Sequence, residues 1–404
     1  MTAPSPMTSL DASRALAWRL HRHGLDAPSA DGAAEVAERV LALRAWPHDL
    51  AELAIGIRSA HPAPGALARA LETGEVVAAY ALRGGSTALT ASAASVLLRV
   101  RATTRVWETA RYQRQGRFAL EDWAPLRESV RRVLADGPRT RAEISAHLAR
   151  DPALRHLAEA ATGIGADSLY KPLHWWGDIC FGPPRDGTAT FRLVREGEHR
   201  PEHQDLDEAG PEAVRLYLAA YGPATEENLL YFLAEGLSAP RRRVLGWLAD
   251  LGDEVTTVQL TGPSNAASGS ATSEAQAPTR TPSLAYVLTA DLDRITATEP
   301  TEAVRLVPGF DPWIMGPGTA DPRLLAPARR ALASRGAHLM LRGGVVTGTW
   351  RRSGDALTID WFPEAGLSPR ALLEDEARRV AGVVAAVGGA APDRDLRITI
   401  TDSA

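Results

Sequence analysis

The chain writes one short sentence twice. "DGPRTRAEISAHL" (Asp136–Leu148) and "YGPATEENLLYFL" (Tyr221–Leu233) both hold Gly-Pro, then Thr two positions on, then an apolar residue four positions past the Thr, with starts 85 residues apart (221 − 136). Gly-Pro stops a preceding helix, because Gly takes a left-handed exit and Pro cannot continue the hydrogen-bond ladder. Thr140 then caps the next helix and Glu143 completes a capping box, whereas Thr225 caps its helix with Asn228 at a weaker box position. Each copy therefore specifies helix, tight turn, helix.

The residues downstream of each copy extend the parallel. After Thr140 come more helix, "DSLYKPLHWWGD" (Asp167–Asp178), and then "ICFG", "PPRDG" and "TATFRLV", which spell strand, turn and strand. After Thr225 come "NLLYFLAEG", a helix predicted to be capped by Ser238 over "SAPRRRVLGWLADLG", and strands Val255–Leu260 and Leu284–Thr289. Three helices and a β-hairpin give the winged-helix order, and a chain that repeats it strings such units in tandem. A third unit precedes them with weaker marks: helical spacing in Ser13–Leu25 and Ala33–Leu43, then a hairpin in Glu75–Ala91 turning at Gly84-Gly85.

The predicted fold class is thus α+β and mainly helical, with tandem winged-helix units and a C-terminal α+β barrel-like domain. Its expected divisions are a disordered N-terminus (1–10), a first winged-helix-like unit (11–118), a second winged helix (119–200), a third (205–292) and the C-terminal domain (300–404). In that last domain Ala303–Gly316, Ala337–Pro363 and Asp395–Ile400 alternate like strands, and Ser368–Val387 is an amphipathic helix opened by Ser-Pro. Acidic Glu196–Glu212 lacks periodicity and is expected to link domains. Thr261–Ser283 is small and polar, and is expected to be a disordered insertion at the tip of the third wing.

Composition bounds what such a chain does. At 404 residues, 45% hydrophobic and 23% charged, it is long enough for two to four folded domains. A single cysteine, Cys180, excludes an internal disulfide and a multi-cysteine zinc site, and the "HRH" of His21–His23 lacks the i,i+4 spacing of a zinc helix. No metal and no cofactor is expected. No apolar run reaches the roughly 18–20 residues that span a bilayer, and no signal peptide is visible, so a cytoplasmic chain without a membrane partner is expected. The net charge of −4 counts mildly against a nucleic-acid partner. Charge is uneven, however: Arg99–Arg141 holds eleven arginines against five acids, a local balance of +6.

In a helix-turn-helix the second helix meets the major groove with its first turns. Arg241, Arg242 and Arg243 fall in such a first turn, where cations oppose the helix macrodipole and an anionic partner would offset that cost; a solvated basic face is the plain alternative. Arg139 and Arg141 flank the Thr140 cap within reach of phosphates, Lys171 lies on the matching helix of the second unit, and Arg83 stands at the first hairpin's turn. Trp175 and Trp176 read as core at a domain junction. No P-loop, dinucleotide-binding glycine pattern or nucleophile elbow appears.

Taken in order, "LALRAWPHDLAELAIGIRSA" (Leu41–Ala60), "VVAAYALRGGSTALT" (Val76–Thr90), the two Gly-Pro-x-Thr units, "FDPWIMG" (Phe310–Gly316) and "GGVVTGTWRR" (Gly343–Arg352) make the chain similar to the winged-helix DNA-binding proteins that include the AlkZ-like DNA glycosylases. The resemblance covers nearly the whole length and implies tandem winged helices forming a scaffold for duplex DNA. It implies monofunctional removal of alkylated or cross-linked purines, by a Gln-x-Gln or Gln-x-Asp motif that activates water. That motif falls here on Arg44-Ala45-Trp46. Arginine offers no acceptor to orient water and an indole offers only its N–H, while a cation beside an oxocarbenium-like centre repels the developing charge. The family's hairpin histidine is also missing, with Thr87 nearest to its place.

The expectation is a monomeric, cytoplasmic, duplex-DNA-binding protein, its DNA possibly damaged, with contacts from Arg44, Trp46, Arg83, Arg139, Thr140, Arg141, Lys171 and Arg241–Arg243, and without the usual base-excision chemistry. Arg44 would meet a phosphate and Trp46 a base, though Trp46 covering the core at a helix end is an open alternative. Two rivals stand: an active glycosylase for alkylated or bulky-adduct purines whose divergent catalytic groups the sequence does not identify, and a protein-interaction scaffold. Asp49, three positions beyond Trp46, is a nearby carboxylate that would activate water in the motif's place.

Overall fold

The structure, a computed structural model, describes residues 8–83, 85–262, 283–390 and 396–402. The chain divides into two compact units, one of Met1–Ala66, Arg215–Phe232 and Leu248–Ala404, the other of Leu67–Val214 and Leu233–Trp247. This division cuts through the first (11–118) and third (205–292) expected units, whereas the second (119–200) and the C-terminal domain (300–404) each lie within one unit.

The second copy of the helix-and-hairpin order is laid out plainly in the unit of Leu67–Val214. Helices Trp123–Leu134, Arg141–Leu148 and Asp167–Trp175 are followed by antiparallel strands Ile179–Arg185 and Thr188–Leu193, and Arg139–Thr140 adds a short third strand. Thr140 caps its helix as the sequence predicts: its hydroxyl accepts from Glu143 N–H (3.3 Å) and the Glu143 carboxylate accepts from Thr140 N–H (2.7 Å). Gly137 holds φ +124°, the left-handed region that suits Gly. Buried Asp178 accepts from Arg127 (2.6 Å) and from Arg131, tying the first helix to the hairpin. Of the tryptophan pair only Trp175 is core, fully buried and donating to Tyr80 O (2.7 Å); Trp176 is half-buried and meets Trp123 and Trp107 edge-on at 4.9 and 5.1 Å.

Glu196–Glu212 is no loose linker. Helix Leu206–Tyr221 starts inside it, and Glu198 forms a largely buried pair with Arg192 at 2.8 Å. The Glu198 carboxylate is spent on a local partner, which a lack of periodicity cannot reveal.

In the other unit the second Gly-Pro differs from the first. Gly222 is not left-handed; Gly is required because a Cβ there would come within 2.5 Å of Leu218 O. The box at Thr225 is complete despite Asn228, whose Oδ1 accepts from Thr225 N–H (3.0 Å) while its Nδ2 donates to Pro317 O (2.8 Å). Ser238 is not the cap of the following helix. That helix runs Arg241–Asp250, Pro240 O accepts its first turn's N–H groups, and Ser238 sits two residues upstream at φ 61°.

Strands Val255–Thr261 and Ser283–Leu288 pair antiparallel, as expected for flanks of an insertion at a wing tip; the insertion's residues 263–282 and Gly84 of the first hairpin lie outside the described residues. The expected disordered N-terminus is corrected at 8–10. Ser9 and Leu10 run parallel to Gln259 and Leu260, and Leu10 packs with Val258, Leu260 and Val287. Residues 1–7 lie outside the described ones.

Where a barrel-like C-terminal domain is expected, the described residues form a five-stranded sheet in linear order whose two outer strands do not pair to close it: Val304–Val307, His338–Arg342, Val345–Ser353, Ala356–Trp361, Arg397–Asp402. Its last pairing is parallel, made possible by helix Arg370–Val387 carrying the chain back across. Phe310–Gly316, read as strand, instead turns into helix Pro312–Met315, because Asp311 accepts from Trp313 N–H (2.8 Å) and Pro312 suits a first helical turn.

Candidate nucleic-acid interface

Arg44 and Trp46, the positions onto which the resemblance places its motif, are two residues apart, and the chain there is extended. Leu43 and Ala45 are buried; Arg44 is half-buried and Trp46 is 50% exposed. Alternation therefore turns positions 44 and 46 outward together while the residue between them anchors the segment. Helix His48–Gly56 begins immediately afterwards. Arg44 is already engaged. Its Nε donates to Trp46 O at 2.8 Å and its guanidinium lies 4.3 Å from the Phe310 ring centre. Burial draws its pKa below the ordinary arginine value, yet it stays a cation at neutral pH. Trp46 meets His48 edge-on at 5.1 Å, and its exposure corrects the alternative that it covers the core.

Below this pair lies a feature that no sequence motif announced. Fully buried Arg58 pairs with fully buried Asp311, donating at 2.6 and 2.9 Å, and also donates to Ala54 O at 2.8 Å. The end of helix His48–Gly56 is thereby clamped to the segment carrying Phe310, and with it the platform under Arg44. The Asp of "FDPWIMG" was the one signal for it, but only the fold supplies its arginine.

The acceptors here are few. Asp49 is exposed in the first turn of the helix. His338 accepts from Gly309 N–H at Nδ1 (3.1 Å); burial lowers its pKa and the charge of Asp49 partly offsets that. In the other unit, Thr87 is a buried strand residue opposite Ala79, with no imidazole to offer.

The remaining predicted contacts split into engaged and free cations. Arg141 donates to Asp167 and to Tyr80 Oη (2.9 Å), and Lys171 approaches Asp167 at 3.6 Å and the Tyr80 ring at 5.3 Å. Burial by itself would raise Asp167; Arg141, Lys171 and the Tyr80 hydroxyl overcome it and hold the carboxyl below its usual range. Tyr80 and Asp167 organise this cluster and were not singled out from sequence. Arg139 donates to Val133 O at 3.3 Å, and Thr140 is committed to its cap. Arg83 is exposed, and its N–H donates to Gly236 O (3.1 Å). Arg241, Arg242 and Arg243 occupy the first turn of their helix, all exposed and with no ion pair among the described residues.

Arginines at a helix start with no ion pair among the described residues and, in the other unit, an exposed indole beside a cation are each features that nucleic-acid-binding proteins use. The chain belongs to the AlkZ-like DNA glycosylase family: the family model described as "DNA glycosylase AlkZ-like" matches residues 37–383. It is 31% identical over 372 residues to the "Interstrand DNA cross-link repair glycosylase" of Streptomyces sahachiroi, covering 90% of this chain and 94% of that protein. The solved structure of Streptomyces sahachiroi DNA glycosylase AlkZ superposes with a TM-score of 0.83 at 28% identity, covering 97% of this chain and all of that one. Among the described residues no helix is long and apolar enough to cross a membrane.

Proposed function

We propose that this chain is a duplex-DNA-binding member of its family in which the usual base-excision chemistry is lost, serving to sense or shield modified DNA. The observation that carries this reading is the pair at 44 and 46: both face outward where the family places water-orienting acceptors, and both offer only donors. Arg44 holds a positive charge where charge build-up on a sugar would be opposed. On this reading the three-helix-and-hairpin segments at 119–200 and 205–292 are winged helices, Arg241–Arg243 meet phosphates or base edges, and Trp46 stacks on or wedges beside a base. Arg83, Arg139, Arg141 and Lys171 add phosphate contacts, and the protein acts as a monomer in the cytoplasm.

The relative's printed name points to interstrand cross-linked DNA as the first duplex to try. Purified protein is expected to bind cross-linked or alkylated duplex at low salt without producing abasic sites; abasic-site formation by the wild type would overturn the proposal. Arg44→Gln/Trp46→Gln is expected to gain weak excision at most, because Phe310, which now underlies the Arg44 guanidinium, leaves a glutamine there without that support.

Asp49 favours a second reading. It is an exposed carboxylate three residues beyond Trp46, electrostatically coupled to His338, and it would orient water in a divergent active glycosylase. Excision that vanishes in Asp49→Asn while DNA binding persists would establish it.

A further inference from the structure

The unit of Leu67–Val214 presents one apolar side chain wholly to solvent. Ile164 has a relative exposure of 105% and stands between Gly163 and Gly165. The turn that carries it is fixed rather than loose. Gly163 N–H donates to Glu159 O (2.9 Å), Ala166 N–H to Gly163 O (3.1 Å) and Ser168 N–H to Gly165 O (2.8 Å). Gly165 is required twice over: its φ is +89°, and a Cβ there would lie 2.9 Å from Gln115 O. The turn is thereby seated against the end of helix Ala110–Gly116.

That helix and its exit are cationic. Arg111, Arg114 and Arg117 are exposed; Arg117 pairs with exposed Glu159 at 2.8 Å, and no ion pair engages Arg111 or Arg114 among the described residues. Leu367 is nearly as exposed, at 93%, but the charges beside it, Glu364 and Arg370, are each ion-paired. Of these two tips, Ile164 is the one whose turn is seated on a helix bearing cations that no ion pair engages among the described residues.

We propose that the Gly163–Ile164–Gly165 turn is a wedge that enters a base step of duplex DNA while Arg111, Arg114 and Arg117 hold the adjacent phosphates. The proposal rests on the DNA-binding reading above and adds to it a second, independent point of entry. Chemistry selects the partner. A single side chain is far too small for a protein interface, which needs roughly 800 Å² per partner. A branched apolar tip with no side chains on its flanks is narrow enough to slip between stacked bases, and apolar residues do this where cations neutralise the backbone. A rigid turn loses little freedom on insertion.

The test uses the full chain and duplexes of about 20 base pairs carrying 2-aminopurine at a central mismatch, where unstacking costs least. The wild type is expected to raise 2-aminopurine fluorescence on binding. Ile164→Ala is expected to saturate the same duplex within about tenfold of wild-type affinity, but without the rise. Ile164→Phe should keep the rise, and Arg111→Ala/Arg114→Ala should lower affinity and salt dependence while keeping the rise at saturation. Wild-type binding without a fluorescence rise, or an undiminished rise in Ile164→Ala, overturns the wedge alone. Failure of the wild type to bind any duplex overturns the wedge and the DNA-binding reading together.

Discussion

Arg58 and Asp311 are fully buried and held to each other by two hydrogen bonds, so removing either leaves the other charged and dry. Asp311→Ala is expected to destabilise the protein by about 3–5 kcal/mol, read by denaturant unfolding; a loss under about 1 kcal/mol would show that the clamp contributes little. Buried histidines set an acid limit. Burial lowers His23 and His174 well below the ordinary value, and His199 to about 4, with Glu198 partly opposing the shift at His199. The unfolded chain takes up protons near pH 6.5 while these folded rings stay neutral, so stability is complete above that pH and falls as pH drops below it. Each such histidine adds about 1.4 kcal/mol per pH unit in that window. Among the described residues both His174 nitrogens lack partners, and its ring sits among Tyr80, Phe181 and Phe191. His174→Phe is therefore expected to reduce the slope of stability between pH 6 and 4.5 by about one proton, measured by unfolding at several pH values.

At the scale of elements, the two capping boxes look alike but carry different loads. Thr140 and Glu143 satisfy one helix start, and Glu143 also accepts from Arg185 where both side chains are exposed, so Thr140→Ala should cost about 1 kcal/mol. Asn228 closes its own box and also donates to Pro317 O and to Asp321 (3.1 Å) while buried. Asn228→Ala should cost clearly more, about 2–3 kcal/mol, because buried partners are left unsatisfied; equal losses for the two variants in thermal unfolding would refute this ranking. The repeated sentence was legible because capping is local chemistry, written within four residues. The position of the Ser238 cap was not, since Pro240 starts the helix and leaves Ser238 in a left-handed turn.

For the molecule as a whole, the free cations matter more than net charge. Replacing Arg241, Arg242 and Arg243 together by Ala should leave the unfolding midpoint unchanged or raise it slightly, since all three are exposed and unpaired among the described residues and oppose the helix macrodipole. It should reduce the slope of log affinity against log salt for duplex DNA by up to about 0.9 per lost phosphate contact. An unchanged slope would remove this helix from the interface.

Local signals in the chain determined the helices, the hairpin flanks, the doubled motif and the outward basic turn, because caps, periodicity and Gly-Pro stops act over a few residues. They also made the missing acceptors at 44 and 46 visible, since residue chemistry is readable without coordinates. Tertiary structure alone decided the partners: Arg58 for Asp311, Phe310 for Arg44, Asp167 and Tyr80 for Arg141, and Ser9–Leu10 for a strand some 250 residues away. Such pairings depend on which distant segments share a low-dielectric interior, and no short stretch of sequence carries that information.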